Sequence, residues 1–254
     1  PMDHIKVLAD TSVRQLSQIP GAMHYLRLLD KMDDRIVQHS VNVSVIAGVL
    51  GRWLGMSHRK IGEMILAGLL HDVGKLMLDP LIAVKRIGEL SAIEMPVYRS
   101  HSVAGYRMLK GRGYNLSGDI LAAVLQHHEW VDGSGYPMAV SGDRIHVYAK
   151  IISVANLYEM MTHDGLKDRP VTPWQAVEVM VGQMFKKLDP EITGMFLTHL
   201  REQLLGSVVL LNDGRKAVVV YLGTNIFQRP IVRTREGEFI NLEKERGLSI
   251  REML

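Results

Sequence analysis

Cysteine is absent from the 254-residue sequence. Disulfides are therefore excluded, and any metal site must be built from His, carboxylate or carbonyl ligands. That ligand set suits Fe, Mn, Zn or Ni better than a thiolate-bound ion. The chain also lacks the roughly 20 uninterrupted apolar residues that a membrane span requires. Its most apolar stretch, Val41 to Leu54, is broken by Asn42, Ser44 and Arg52. No signal-peptide pattern is visible. The opening Pro1-Met2 leaves room for an upstream sensory, receiver or membrane domain. Long basic runs are missing too: with a net charge of +3 and a pI near 9.1, an anionic ligand is accommodated but a DNA-binding surface is not expected. A cysteine-free chain of this kind is compatible with the cytoplasm, which is the expected location.

Helical periodicity dominates what is there. Residues 5–19 read as a short amphipathic helix stopped by Pro20-Gly21. From Met23 to about Leu54, apolar residues recur at three and four (Val37, Val41, Val45 and Val49, with Ile36 and Leu50). Gly55 ends that helix, and Ser57 is placed to cap the next, expected from about His58 to Met77. Further helices are expected at 94–110, 117–128, 147–162, 173–184 and 189–204. A glycine-rich loop covers 130–145, and a break falls at Asp168-Arg169-Pro170. After Gly206 the character changes. Val208–Leu211, Ala217–Leu222 and Ile231–Arg233 are β-branched, with Asn212-Asp213-Gly214 as a hairpin turn. The fold class expected is mainly α: a helical bundle over 23–204, an N-terminal helix or linker over 1–22, and a small β-rich appendage over 205–254. With so few residues the appendage is expected to lean on the helical body instead of folding alone, and its hydrophobic alternation suggests packing or homodimerisation.

The chemistry-bearing residues are ordered along the helices. His71 and Asp72 sit inside the apolar run Ala67-Gly68-Leu69-Leu70-His71-Asp72-Val73-Gly74-Lys75. Burying that pair is costly unless something satisfies it, and a metal ion does so. Each of the eleven histidines, taken singly, is more simply an ordinary core or surface residue. Their order changes the odds: His39 on one helix, His71-Asp72 on the next, His101 on a third and His127-His128 at the end of a fourth. Helices of a bundle can aim such residues at one centre. Five imidazoles and a carboxylate exceed the ligand count of one ion, which suggests two. Asp72 is then the natural bridge, one oxygen to each metal. Two-metal centres suit phosphoester hydrolysis. Lys75 lies one helical turn beyond Asp72 and can hold a phosphate oxygen as a point charge, although alone it reads as a solvated lysine.

His71-Asp72-Val73-Gly74-Lys75, His127-His128-Glu129 and Asp132-Gly133-Ser134-Gly135-Tyr136-Pro137 together resemble the signature of the HD-GYP family, a branch of the HD-domain metal-dependent phosphohydrolases. The resemblance runs from about Asp33 to Phe196. It implies a helical bundle that cleaves cyclic di-GMP to pGpG or GMP, with a non-haem centre of two divalent ions, Fe or Mn in preference to Zn or Ni. Its ligands would be His39, His71, Asp72, His101, His127, His128 and the residue at 156. Tyr136 would lie on a shaped loop beside the metals, where Gly133 and Gly135 permit unusual backbone angles. Arg169 would meet phosphate or guanine, and the alternative for it is a loop salt bridge.

The chain departs from the family pattern at several of these positions. Where the family carries a metal-binding aspartate, this chain has Asn156. Its amide oxygen can ligate but brings no charge, so the ion grouped with His39 and His71 should bind more weakly. Arg35 replaces a glutamate that holds a third metal in some members. Val171-Thr172 replaces an aromatic and a basic residue, Lys150 an arginine, and His146 a proline. Two functions follow: a cyclic di-GMP phosphodiesterase, with Asp72 and Lys75 at the reacting phosphate and Lys75, Tyr136 and Arg169 on the substrate, or a degenerate nucleotide sensor that contacts a partner such as a diguanylate cyclase.

Overall fold

The computed structural model describes residues 32–111, 115–164 and 171–254. The helix expected at 5–19, the first turns of the one expected from Met23, and Arg169 with its break lie outside the described residues. The chain divides into two compact units: Pro1–Met160 with Phe185–Ile192, and Met161–Met184 with Thr193–Leu254. As expected, the fold is mainly α with a small antiparallel sheet.

The first unit is built on a helical hairpin. Helix α1 (Asp34–Trp53) begins where the Asp33 carboxylate accepts the Arg35 N–H at 2.9 Å. It ends just before Gly55, whose φ of +68° turns the chain. Helix α2 (His58–Leu70) starts at the expected Ser57 cap. The stripe that α1 buries is Ile36, Ser40, Val43, Ser44, Ala47, Gly48, Leu50 and Gly51. The valine row read from the sequence only flanks it, and Val41 remains 38% exposed. The reason is close packing: Ser44 meets Gly68, Gly48 meets Ile65 and Gly51 meets Ile61. Small side chains let the two backbones approach, and this antiparallel register carried onward sets His39 opposite the end of α2.

Helix α2 stops at Leu70, not near Met77 as the periodicity suggests. Asp72 turns the chain at φ −99°, ψ 5°, and Val73–Met77 follows as a 3₁₀ segment. After the short α3 (Pro80–Ala83), the single helix expected over 94–110 is two, α4 (Glu94–Arg99) and α5 (His101–Gly111). The break falls at Ser100, whose hydroxyl donates to the Val97 carbonyl at 2.7 Å. His101 therefore opens a helix instead of lying in its middle. Helix α6 (Gly118–Gln126) is capped by Ser117. Helix α7 (Val147–Glu159) is capped by the His146 ring and runs on as a π turn, Met160–Asp164. Helices α1, α2, α6 and α7 pack together, with α5 against α6 and the 3₁₀ segment. Val43, Leu50, Met64, Leu70, Val124, Ile151 and Ile152 are wholly buried there.

In the second unit, α8 (Pro173–Gln183) opens with a reciprocal cap between Thr172 and Gln175. Helix α9 (Pro190–Leu204), which belongs to this unit from Thr193 on, ends at the sheet segment. Strands β1 (Val208–Leu211), β2 (Lys216–Tyr221), β3 (Ile231–Thr234), β4 (Phe239–Asn241) and β5 (Ile250–Met253) lie in the order β4-β3-β2-β1-β5, all pairs antiparallel. The Asn212-Asp213-Gly214 turn is where the sequence put it, with Gly214 at φ +91°. Val209, Leu211, Ala217, Val219, Val232, Ile240 and Ile250 face a core shared with Trp174 and Leu204. Arg201 of α9 is buried, and its guanidinium donates to the carbonyls of Asn225 at 2.6 Å, Gln228 at 2.8 Å and Leu222. Arg229 donates to the carbonyls of Leu242 and Leu248 at 2.8 Å each and pairs with Glu178.

Candidate metal centre

Three imidazoles are placed by one local device. The Nδ1–H of His71 donates to the Gly68 carbonyl at 2.7 Å, that of His101 to Tyr98 at 2.7 Å, and that of His127 to Val124 at 2.9 Å. Each acceptor belongs to the last turn of a helix (α2, α4 and α6), where carbonyls have no helical partner. A carbonyl only accepts, so each Nδ1 carries the proton and each Nε2 presents a lone pair. His39 is placed differently. Its Nδ1 donates to the Glu159 carboxylate, whose other oxygen accepts from the Asn42 amide at 2.9 Å.

The Nε2 atoms converge on Asp72. Its Oδ1 lies 3.2 Å from His101 Nε2 and 3.8 Å from His127 Nε2. Its Oδ2 lies 3.5 Å from His71 Nε2 and 3.8 Å from His39 Nε2. Two groups of ligand atoms result, each lying within 4.8 Å of one another and sharing Asp72: Asp72 with His101, His127 and His128, and Asp72 with His39 and His71. His101 and His127 point their Nε2 atoms at each other across 3.2 Å. With both Nδ1 atoms protonated, that contact sets one lone pair against another, and a cation between them removes the conflict. His71 Nε2 and Asn156 Oδ1 are buried without a hydrogen-bond partner. A cage of acceptors with so few donors fits a divalent cation.

The electrostatics agree. Burial takes the His71 imidazole down to about 4. Burial, then the neighbouring imidazoles, holds His127 and His128 well below their ordinary value. Burial alone would raise Asp72, but Lys75, His71 and His101 outweigh it and keep the carboxyl well below its usual range. These are the protonation states that metal binding requires. Lys75 Nζ sits 2.7 Å from Asp72 Oδ2 and 5.1 Å from the centre of the Tyr98 ring. Burial opposes its charge, yet the Asp72 carboxylate raises its pKa.

The loop after His128 is held from beneath by Glu129. This buried carboxylate accepts the N–H groups of Met138 at 2.6 Å and Val140 at 3.1 Å. The Tyr136 N–H donates to the His128 carbonyl at 3.1 Å. Its ring stacks on that imidazole at 4.5 Å and 23°, and the Arg99 guanidinium carbon lies 5.2 Å from the ring centre. Gly133 has the expected positive φ, +79°. Gly135 does not; it is there because a Cβ would meet the His128 carbonyl oxygen and the Trp130 nitrogen, each at 2.4 Å.

Helix α7 crosses the centre with Ser153, Asn156 and Glu159 at successive turns. The Ser153 hydroxyl donates to the His127 carbonyl at 2.6 Å, and Glu159 holds His39. Asn156 lies between them on the same face.

The HD-domain family model matches residues 24–192. The chain belongs to the HD-domain family. Its motifs at 71–75, 127–129 and 132–137 put it in the HD-GYP branch. It is 30% identical over 221 residues to the cyclic di-GMP phosphodiesterase PA4108 of Pseudomonas aeruginosa, covering 85% of this chain and 52% of that protein. It is 28% identical over 167 residues to the 3'3'-cGAMP-specific phosphodiesterase 3 of Vibrio cholerae, covering 65% of this chain and 35% of that protein. An HD-GYP-type protein from Bdellovibrio bacteriovorus, Bd1817, shares the fold at a TM-score of 0.54 and 20% identity, over 65% of this chain and 52% of that one. The chain thus spans about half or less of the length of the curated relatives it matches.

In this HD-GYP chain the structure brings His39, His71, Asp72, Lys75, His101, His127, His128 and Tyr136 together in one unit, whereas Arg169 lies outside the described residues. Glu129, Glu159, Asn42, Ser153 and Tyr98 were not singled out from the sequence for a role in the centre. Only Glu129 carried a signal there, as the third residue of the His127-His128-Glu129 motif. Among the described residues, no helix is long and apolar enough to cross a membrane.

Proposed function

We propose that the chain is a cytoplasmic, metal-dependent phosphodiesterase that hydrolyses cyclic di-GMP to pGpG or GMP. The observation that carries this reading is the geometry of Asp72, whose two oxygens face two separate sets of imidazoles. His101, His127 and His128 would hold one ion, His39, His71 and Asn156 the other, and Asp72 both. When bound, a pair of divalent ions of the Fe or Mn type supplies Lewis-acid charge for a phosphoester and lowers the pKa of water. The protein's own contribution is to keep the His71, His127 and His128 imidazoles neutral and Asp72 ionised at neutral pH. Lys75 balances the Asp72 charge and stands at the edge of the centre, 10% exposed, where it can turn to a non-bridging phosphate oxygen. Tyr136, braced on His128, offers a ring against which a purine can lie. Arg169 is the further phosphate or guanine contact in this reading.

A second reading rests on one residue. Asn156 removes a negative charge from the His39 side, which favours a nucleotide sensor that binds without turnover and signals to a diguanylate cyclase or an attached sensory domain. The deciding experiment is anaerobic reconstitution of the metal-free chain with Fe(II) or Mn(II), followed by cyclic di-GMP and 3'3'-cGAMP turnover, with a chelator and Asp72→Asn as controls. Metal-dependent release of pGpG or GMP supports the enzyme. Nucleotide binding without turnover under either metal would replace it with the sensor.

A further inference from the structure

We propose that Glu159 is the positioning carboxylate of the His39 side of the centre, and that through the His39 ring it supplies the negative charge that Asn156 does not. This rests on the metal-centre reading above and adds to it a residue that sequence reasoning passed over. Within the centre, His71, His101 and His127 donate from Nδ1 to neutral backbone carbonyls, whereas His39 donates to a carboxylate. A carboxylate behind a ligating imidazole fixes the tautomer and the ring angle and raises the electron density on the opposite nitrogen. That nitrogen is the one aimed at Asp72 Oδ2.

The carboxylate is itself held in place. Glu159 is 2% exposed, and its second oxygen accepts the Asn42 amide one turn along α1 from His39. His39 is the least buried of the ligating rings, at 14% exposure of its side chain, so it gains most from such a clamp. Glu159 also follows Asn156 by one turn of α7. A carboxylate lost at 156 is therefore retained one turn on, displaced from direct contact with the ion to the far side of a ligand. The charge reaching the ion is smaller than a direct carboxylate would give, but it is not zero.

The test is Mn(II) binding to the metal-free chain by indicator competition, with no turnover involved, in the wild type, Glu159→Gln, Asn156→Asp and the double variant. The wild type should bind two ions of unequal affinity. Glu159→Gln should weaken one of them about 10- to 100-fold and leave the other unchanged, and it should shift the His39 ring N–H resonance. Asn156→Asp should restore most of that affinity in the Glu159→Gln background, a rescue that a merely structural role would not give. A wild type that takes up no ion would overturn the metal-centre reading itself. Two ions bound equally well by wild type and Glu159→Gln would overturn the role of Glu159 alone. Should Glu159→Gln not fold, Asn42→Ala takes its place, because it frees one carboxylate oxygen and keeps the charge. A selective, several-fold weakening supports the proposal, and unchanged affinity for both ions overturns it.

Discussion

Gly74, two residues after Asp72, is the position among the described glycines that tolerates a side chain least. A Cβ built there would lie 1.9 Å from the His101 carbonyl oxygen, 2.8 Å from the His101 carbonyl carbon and 2.5 Å from the Gly105 nitrogen. Ordinary contact begins at 3.4 Å, so the shortfall is about 1.5 Å in an interior packed like a crystal. All three atoms are backbone and none can rotate away. Gly74→Ala must therefore push the 3₁₀ segment off the first turn of α5. We expect a loss of about 3 kcal/mol, the upper end of ordinary overpacking.

The same shift reaches the centre from both sides, because it moves His101 on one element and Asp72 on the other. A ligand constellation tolerates about 0.5 Å, so Gly74→Ala should also lose the ion shared by Asp72, His101, His127 and His128. Urea unfolding of the metal-free chain reads the first effect, and Mn(II) stoichiometry reads the second. Gly105→Ala, whose Cβ would sit 3.1 Å from the Gly74 nitrogen, should be milder, and Gly88→Ala, with nothing within 4 Å, should change little. A Gly74→Ala protein with wild-type stability and a full complement of metal would refute the packing argument.

Acidification should destabilise the metal-free chain. His71 titrates at an ordinary 6.5 when unfolded and at about 4 when folded, so between those values the unfolded chain binds a proton that the native site refuses. Full stability is present above 6.5 and falls with pH toward 4, by about 2 kcal/mol for this residue at pH 5; a urea midpoint at pH 5 equal to that at pH 7 would contradict it. Arg201→Leu should cost about 2–4 kcal/mol, because the carbonyls of Leu222, Asn225 and Gln228 lose a buried donor; calorimetric unfolding unchanged by the substitution would show that the clamp contributes nothing. Glu129→Gln sets an amide N–H₂ against the backbone N–H of Met138 or Val140, a cost of about 1–3 kcal/mol. Amide exchange should quicken at both residues, and exchange at the wild-type rate would count against Glu129 as the support of the loop.

The class of fold and the clustering of the imidazoles about Asp72 were legible because they depend on residue type and spacing. Ser57, Gly55 and Asn212-Asp213-Gly214 mark boundaries with local chemistry, and the structure has them where that chemistry puts them. The misplaced boundaries are of another kind. Leu70-His71-Asp72 carries no glycine or proline to mark a stop; the chain turns there, and Gly74 then lies against α5, a contact made by residues 27 positions apart for Gly74 and His101. The buried stripe of α1 was misread for a related reason. Valines look like core, but the closeness of α2 selects Ser44, Ala47 and Gly48 for the interface. Strands β4 and β5 were passed over because Phe239–Asn241 is short and Ile250–Met253 carries Arg251 and Glu252 in mid-strand. Glu159 reads from sequence as one acidic residue in an apolar helix, and its role exists only through His39, 120 residues away.

The ends of the helices and the centre turn out to be one problem with one solution. An α-helix leaves its last carbonyls without partners, and a buried helix end needs them satisfied. In α2, α4 and α6 the donor is the imidazole of the histidine that follows. Each such bond caps a helix and at the same time fixes the tautomer that frees Nε2. It also brings the negative end of a helix dipole toward the place where a cation would sit. Replacing one of these histidines by a residue that ligates but cannot cap would therefore lose more than a ligand, since the helix end beneath it would be left unsatisfied. His39, in the body of α1, has no free helical carbonyl to use. A position of that kind needs a side-chain acceptor from another helix, and α7 provides it with Glu159.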